Sequence, residues 1–148
     1  MTNTQNIPLL NSSVLDALDA HNAKGAFFVL SNLVKRNPEL LKRMVSGGHL
    51  VCNHTAKHPD MSAITEKSLF KKQLTDLEKV CAESVGCAPA KFYRPPEGRF
   101  SKQNLRYAQE LGYKTVFWSY AVALEHVHNL STQWSHTCTT TYPYHLAT

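Results

Sequence analysis

No stretch of this 148-residue chain approaches the roughly 18 consecutive apolar residues of a membrane-crossing helix, so no transmembrane segment is expected. Met1 to Asn6 has neither the basic start nor the apolar centre of a signal peptide, and no export signal is read there. CxxC pairs are missing too. Cys52, Cys81, Cys87 and Cys138 stand apart, which argues against a zinc knuckle or a disulfide framework and leaves them as core or incidental thiols. A continuous basic face is also lacking. The net charge is +5, but Lys35, Arg36, Lys42, Arg43, Lys67, Lys71 and Lys72 are scattered among acids. That pattern reads as a solvated surface, and no nucleic-acid partner is expected. After Trp118 charge nearly vanishes: residues 119–148 hold Glu125 and no Lys or Arg, together with His126, His128, His136 and His145. His126 and His128 would share one side of an extended segment. Periodicity fades beyond Val127, however, and 122–148 reads as an irregular, divergent tail without a metal role.

What is present is an alternation of helix and strand patterns after a polar lead-in, residues 1–11. Ser12-Ser13 reads as a cap for a short helix with Val14, Leu15 and Leu18 on one face. Ala26 to Leu30 reads as a buried strand. Asn37-Pro38 supplies a cap with proline at the first helical position, and Leu40, Leu41, Met44 and Val45 form that helix's inner face before Gly47-Gly48 ends it. A strand from His49 to Asn53 follows. A long helix is predicted from about Thr65 to Ser84, with Leu69, Phe70, Leu74, Leu77, Val80 and Cys81 as core positions, stopped by Gly86. Phe92-Tyr93 reads as a short strand and Arg94 to Gly98 as a rigid turn. Ser101 caps a further helix, and Thr115 to Trp118 is a last strand. Repeated α-then-β order with short connections predicts parallel strands with right-handed crossovers. No strand candidate precedes the first helix.

The segment with most chemistry in it is His54-Thr55-Ala56-Lys57-His58-Pro59. Two imidazoles four residues apart can be aimed at one point by a turn of backbone. They follow a predicted strand, and open α/β sheets and barrels keep their chemistry at strand carboxyl ends. Neutral imidazole is a common zinc ligand, but two ligands fall short of the three that a catalytic zinc takes from the protein. Alone, the pair also reads as a polar turn.

Three ordered segments together resemble the polysaccharide deacetylases, the family that shares the NodB homology domain, and in detail its peptidoglycan N-acetylmuramic acid deacetylases. Gly47-Gly48-His49 through Pro59 is similar to the family's histidine motif. Phe92 to Gly98 with Phe100-Ser101 is similar to its "RPPxGxFS" motif, and Leu111 to Ser119 to its "LGYxTVFWS" segment. The resemblance covers 12–121. It implies a partial (β/α) barrel of the NodB type and metal-dependent hydrolysis of the acetamide of N-acetylated sugars in peptidoglycan or chitin-like glycan. It implies a divalent metal, zinc, held by His54, His58 and an Asp. It further implies an Asp base oriented by Arg94, and a substrate groove shaped by Pro95, Pro96 and Trp118. By their residue types alone, Pro95-Pro96 read equally as a stiff turn and Trp118 as a core residue. Relatives work in the cell envelope or outside the cell.

The departures from the family pattern lie at both ends. No "TFDDG"-like strand, the family's source of base and third ligand, precedes Val14. The earliest carboxylates, Asp16 and Asp19, fall on the first helix and are expected to face solvent. The "D-W" that follows the Trp strand in the family and its late strand with an acid histidine are also not found. The barrel is therefore expected to lack its first strand and its C-terminal strands, through truncation or loss of reading frame. Two imidazoles without the Asp would hold metal weakly, and Arg94 would want its Asp partner. Little or no deacetylase activity is expected of the chain. The alternative is a non-catalytic, degenerate fragment that binds metal or glycan weakly.

Overall fold

Four short parallel strands, β1 (Ala26–Val29), β2 (Leu50–Asn53), β3 (Ala90–Tyr93) and β4 (Lys114–Thr115), form one sheet in the order β1-β2-β3-β4. A computed structural model describes residues 7–118, with side chains from Ser12 onward. Met1–Phe117 forms one compact unit; the second, Trp118–Thr148, is described only at Trp118. The tail read at 122–148 therefore lies outside the described residues. Five α-helices complete the described chain: α1 (Ile7–Ala20), α2 (Ser31–Arg36), α3 (Pro38–Ser46), α4 (Lys67–Val85) and α5 (Lys102–Glu110). This is α/β architecture with sequential parallel strands and helical crossovers, and it covers part of a barrel. No helix among the described residues is long and apolar enough to cross a membrane.

Local chemistry explains most boundaries. Pro38 opens α3 with its φ already helical. Asn37 does not cap as expected: its side chain turns back 3.5 Å to the Leu33 carbonyl, at the end of α2. α2 itself was not anticipated. Six residues with one fully buried side chain, Val34, are too short to display a period. α1 starts at Ile7, so Ser12-Ser13 lies inside it and caps nothing. Pro8, the second helical residue, suits the first turn, and Leu15 reaches the core from that helix. Gly86 ends α4 in the left-handed region at φ 75°, and its N–H closes on the Ala82 carbonyl. Ser101 starts α5 through a reciprocal pair: its Oγ accepts from Asn104 N–H at 3.2 Å, and Asn104 Oδ1 accepts from Ser101 N–H at 3.3 Å.

Two apolar clusters hold the layers together. Leu15, Val29, Val34, Leu41, Met44 and Leu77 belong to one, and Met61, Phe70, Leu74, Tyr93, Ala108 and Tyr113 form the second. α4 contributes to both, so one helix spans the two clusters. Two positions expected in the core, Val45 and Leu69, are exposed. β4 is shorter than the predicted strand, although Val116 N–H still donates to the Tyr93 carbonyl at 2.8 Å. The β2–β3 register shifts between Cys52 and Asn53, which pair with Ala90 and Tyr93. Irregularities of this kind re-aim the chain leaving a strand, and here the next residue is His54.

Candidate metal site at the carboxyl end of the sheet

The residues after β2 leave the strand along an unusual path. Thr55 has φ 75° and His58 φ 58°, both in the left-handed region that non-glycine residues rarely adopt. Strain of this kind costs on the order of 1–3 kcal/mol per residue and persists only where neighbours enforce it. The enforcement is visible. Asn53 Oδ1 accepts from Thr55 N–H at 2.9 Å, and Thr55 Oγ1 accepts from His58 N–H at 3.0 Å. Ala56 N–H donates to the Gln73 carbonyl on α4 at 3.0 Å, and Ser31 N–H donates to the Ala56 carbonyl at 3.3 Å.

This loop, and not the helical turn suggested by the spacing, brings the two imidazoles together. The ring centroids of His54 and His58 are 5.0 Å apart, with planes at 73°. His54 is half-buried and His58 exposed. His54 Nδ1 lies 2.9 Å from the Arg94 carbonyl. A carbonyl only accepts, so Nδ1 carries the proton and Nε2 keeps its lone pair. That is the arrangement by which an outer partner fixes a metal-ligating histidine. Burial lowers the His54 pKa; the Arg94 carbonyl opposes this, and the nearby His58 and Arg94 charges add to the lowering. The ring is neutral at neutral pH, the form a metal requires.

Arg94 follows β3, and its guanidinium carbon stands 3.9 Å from the centroid of the Phe28 ring. Burial lowers its pKa. Pro95 and Pro96 are buried, whereas Trp118 is exposed. Arg99 ties this turn to the histidine loop: Nη1 lies 3.2 Å from Asp60 Oδ2 and Nε 3.1 Å from Glu97 Oε2. The parallel sheet thus places His54, His58 and Arg94 at one end.

Asp16 and Asp19 lie elsewhere, exposed as expected. Arg43 Nη2 on α3 is 2.6 Å from Asp16 Oδ1 and 3.1 Å from Asp19 Oδ2. Asp19 also approaches His49 Nε2 at 3.8 Å. His49 precedes β2 and His54 follows it, so four strand residues separate the two ends, about 13 Å at roughly 3.3 Å per residue. Among the described residues, no group of three or more His, Cys, Asp and Glu side chains is placed to hold a metal ion. His54 and His58 fit as two imidazole donors, but the described residues do not complete a catalytic set, and no reaction step is derived through an ion. A cleft of about 290 Å³, lined by Val45, Leu50 and Val85 among others, opens at the amino end of the strands, away from the histidine pair.

Sequence reasoning missed the scaffold behind the pair. Asn53 is fully buried; its Nδ2 donates to the Leu74 carbonyl and to Tyr113 Oη, both at 3.0 Å. Tyr113 Oη in turn donates to Glu78 Oε1 at 2.5 Å, and Lys91 binds the same carboxylate. The available signal was an amide closing an otherwise apolar strand.

Comparison with known proteins gives this geometry a family. The polysaccharide deacetylase family model matches residues 7–116. The peptidoglycan N-acetylmuramic acid deacetylase PdaA of Bacillus subtilis is 39% identical over 108 residues, 73% of this chain and 41% of that protein. A peptidoglycan N-acetylglucosamine deacetylase of Bacillus cereus is 35% identical over 106 residues, 72% of this chain and 38% of that protein. The solved structure of Bacillus subtilis PdaA, a family 4 carbohydrate esterase, superposes with a TM-score of 0.73 at 36% identity, over 81% of this chain and 51% of that one. The chain thus spans about half or less of these relatives' own lengths. On the family match and these likenesses, the chain belongs to the polysaccharide deacetylase family.

Proposed function

We propose that this chain carries part of the centre of a metal-dependent deacetylase of N-acetylated glycan, peptidoglycan or a chitin-like polymer, and that these 148 residues do not themselves hydrolyse the acetamide. The observation that carries the reading is the His54–His58 pair, its rings 5.0 Å apart at the carboxyl end of β2 and joined there by no third donor among the described residues. When bound, a divalent ion, zinc by family likeness, supplies Lewis acidity and a more acidic water. His54 offers Nε2 because Nδ1 is committed to Arg94. Arg94 holds the His54 ring through its carbonyl, and its guanidinium is assigned the orienting role. Pro95, Pro96 and Trp118 are assigned to sugar contacts by the same likeness. The described residues place no carboxylate with the pair to take the proton from water, and general-base work requires a group within hydrogen-bond reach.

The reading is tested by titrating the purified chain with zinc in a calorimeter. Weak binding that disappears in both His54→Ala and His58→Ala is expected. Binding unchanged by either substitution would remove the pair from the account.

A further inference from the structure

We propose that Asn53 is the positioning residue of the histidine pair, acting through Thr55; this rests on reading His54 and His58 as metal donors. Asn53 ends a strand whose neighbours Val51 and Cys52 are apolar and buried, and an apolar side chain would fill the same space. The amide is present for its hydrogen bonds. Its orientation is fixed from behind. Tyr113 Oη gives its proton to Glu78, so a lone pair faces Asn53, and the Leu74 carbonyl also accepts only. Both demand the NH₂ group, which leaves Oδ1 directed at Thr55 N–H. That bond holds a β-branched residue at φ 75°, where it would not stay unaided. Thr55 sits directly after His54, and its Oγ1 takes the His58 N–H, so one amide governs the path between the two rings and the placement of the second.

A role confined to fold stability would need the Leu74 and Tyr113 bonds but not the one to Thr55. The experiment separates these on the full chain at neutral pH. Ring-to-ring Overhauser contact between His54 and His58 is read by NMR without metal, and zinc affinity by calorimetry. Asn53→Ala is expected to lose the ring contact and to weaken zinc binding about tenfold or more, the range found when groups supporting metal ligands are removed. If Asn53→Ala does not fold, Asn53→Asp keeps the acceptor for Thr55 N–H and is expected to keep the contact. An Asn53→Ala chain that retains the contact overturns the proposal. So does a folded Asn53→Asp chain that has lost the contact. A native chain that ignores zinc, yet shows ring contact dependent on Asn53, refutes the metal reading and leaves the positioning role standing.

Discussion

His54 gives its Nδ1 proton to the Arg94 carbonyl, and this one bond decides which ring nitrogen faces outward. The histidines were legible in the sequence because their spacing belongs to a motif. The groups that aim them were not, since Tyr113 reaches Asn53, and Glu78 reaches Tyr113, only across distant parts of the chain. That network carries its own pH dependence. Burial works to raise the Glu78 pKa, but hydrogen bonds from Lys91 and Tyr113 outweigh it and hold the carboxyl below its ordinary range. The folded chain therefore keeps Glu78 ionised at pH values where the unfolded chain protonates it. Its contribution is full above the unfolded value and is lost as pH falls through the folded one. Glu78→Gln is expected to flatten the acid limb of the urea midpoint plotted against pH; an unchanged limb would count against the network. The thiols behave differently. Burial pushes Cys52 and Cys81 up to about 11, while Cys87 is half-buried. Alkylation followed by peptide mass mapping is expected to label Cys87 well before the other two in the folded chain.

At the scale of elements, sequence reasoning did best where a single residue forces the backbone. Pro38, Gly86 and Ser101 each set a helix end for a stated stereochemical reason, and each boundary lies where that reason puts it. It did worst where the decision belongs to packing. α2 is too short to have a period, α1 runs through its supposed cap, and β4 pairs over only two residues. Two substitutions test the first group. Gly86→Ala meets no atom within 4 Å, so its cost is the backbone strain at φ 75° alone, about 1 kcal/mol in denaturant unfolding. Ser101→Ala removes the acceptor for Asn104 N–H and is expected to cost about 1 kcal/mol as well. A loss near zero in either case would show that the corresponding helix end is held by packing.

For the molecule as a whole, the parallel sheet sorts chemistry by end. Carboxyl ends of β2 and β3 gather His54, His58 and Arg94, while Asp16, Asp19 and Arg43 form an ion-pair cluster by the amino end, around His49. Family membership was legible because three motifs survive in order. That the first helix's carboxylates belong to Arg43 was not legible, because helical position alone does not say which end of the sheet a helix turn reaches. The separation bears directly on catalysis: the only acidic residues before β1 stand across the sheet from the imidazoles. The most direct measurement is acetate release from an N-acetylated glycan incubated with the purified chain and added zinc. The account expects no release above the buffer control. Acetate production by the chain, abolished by His54→Ala, would contradict it.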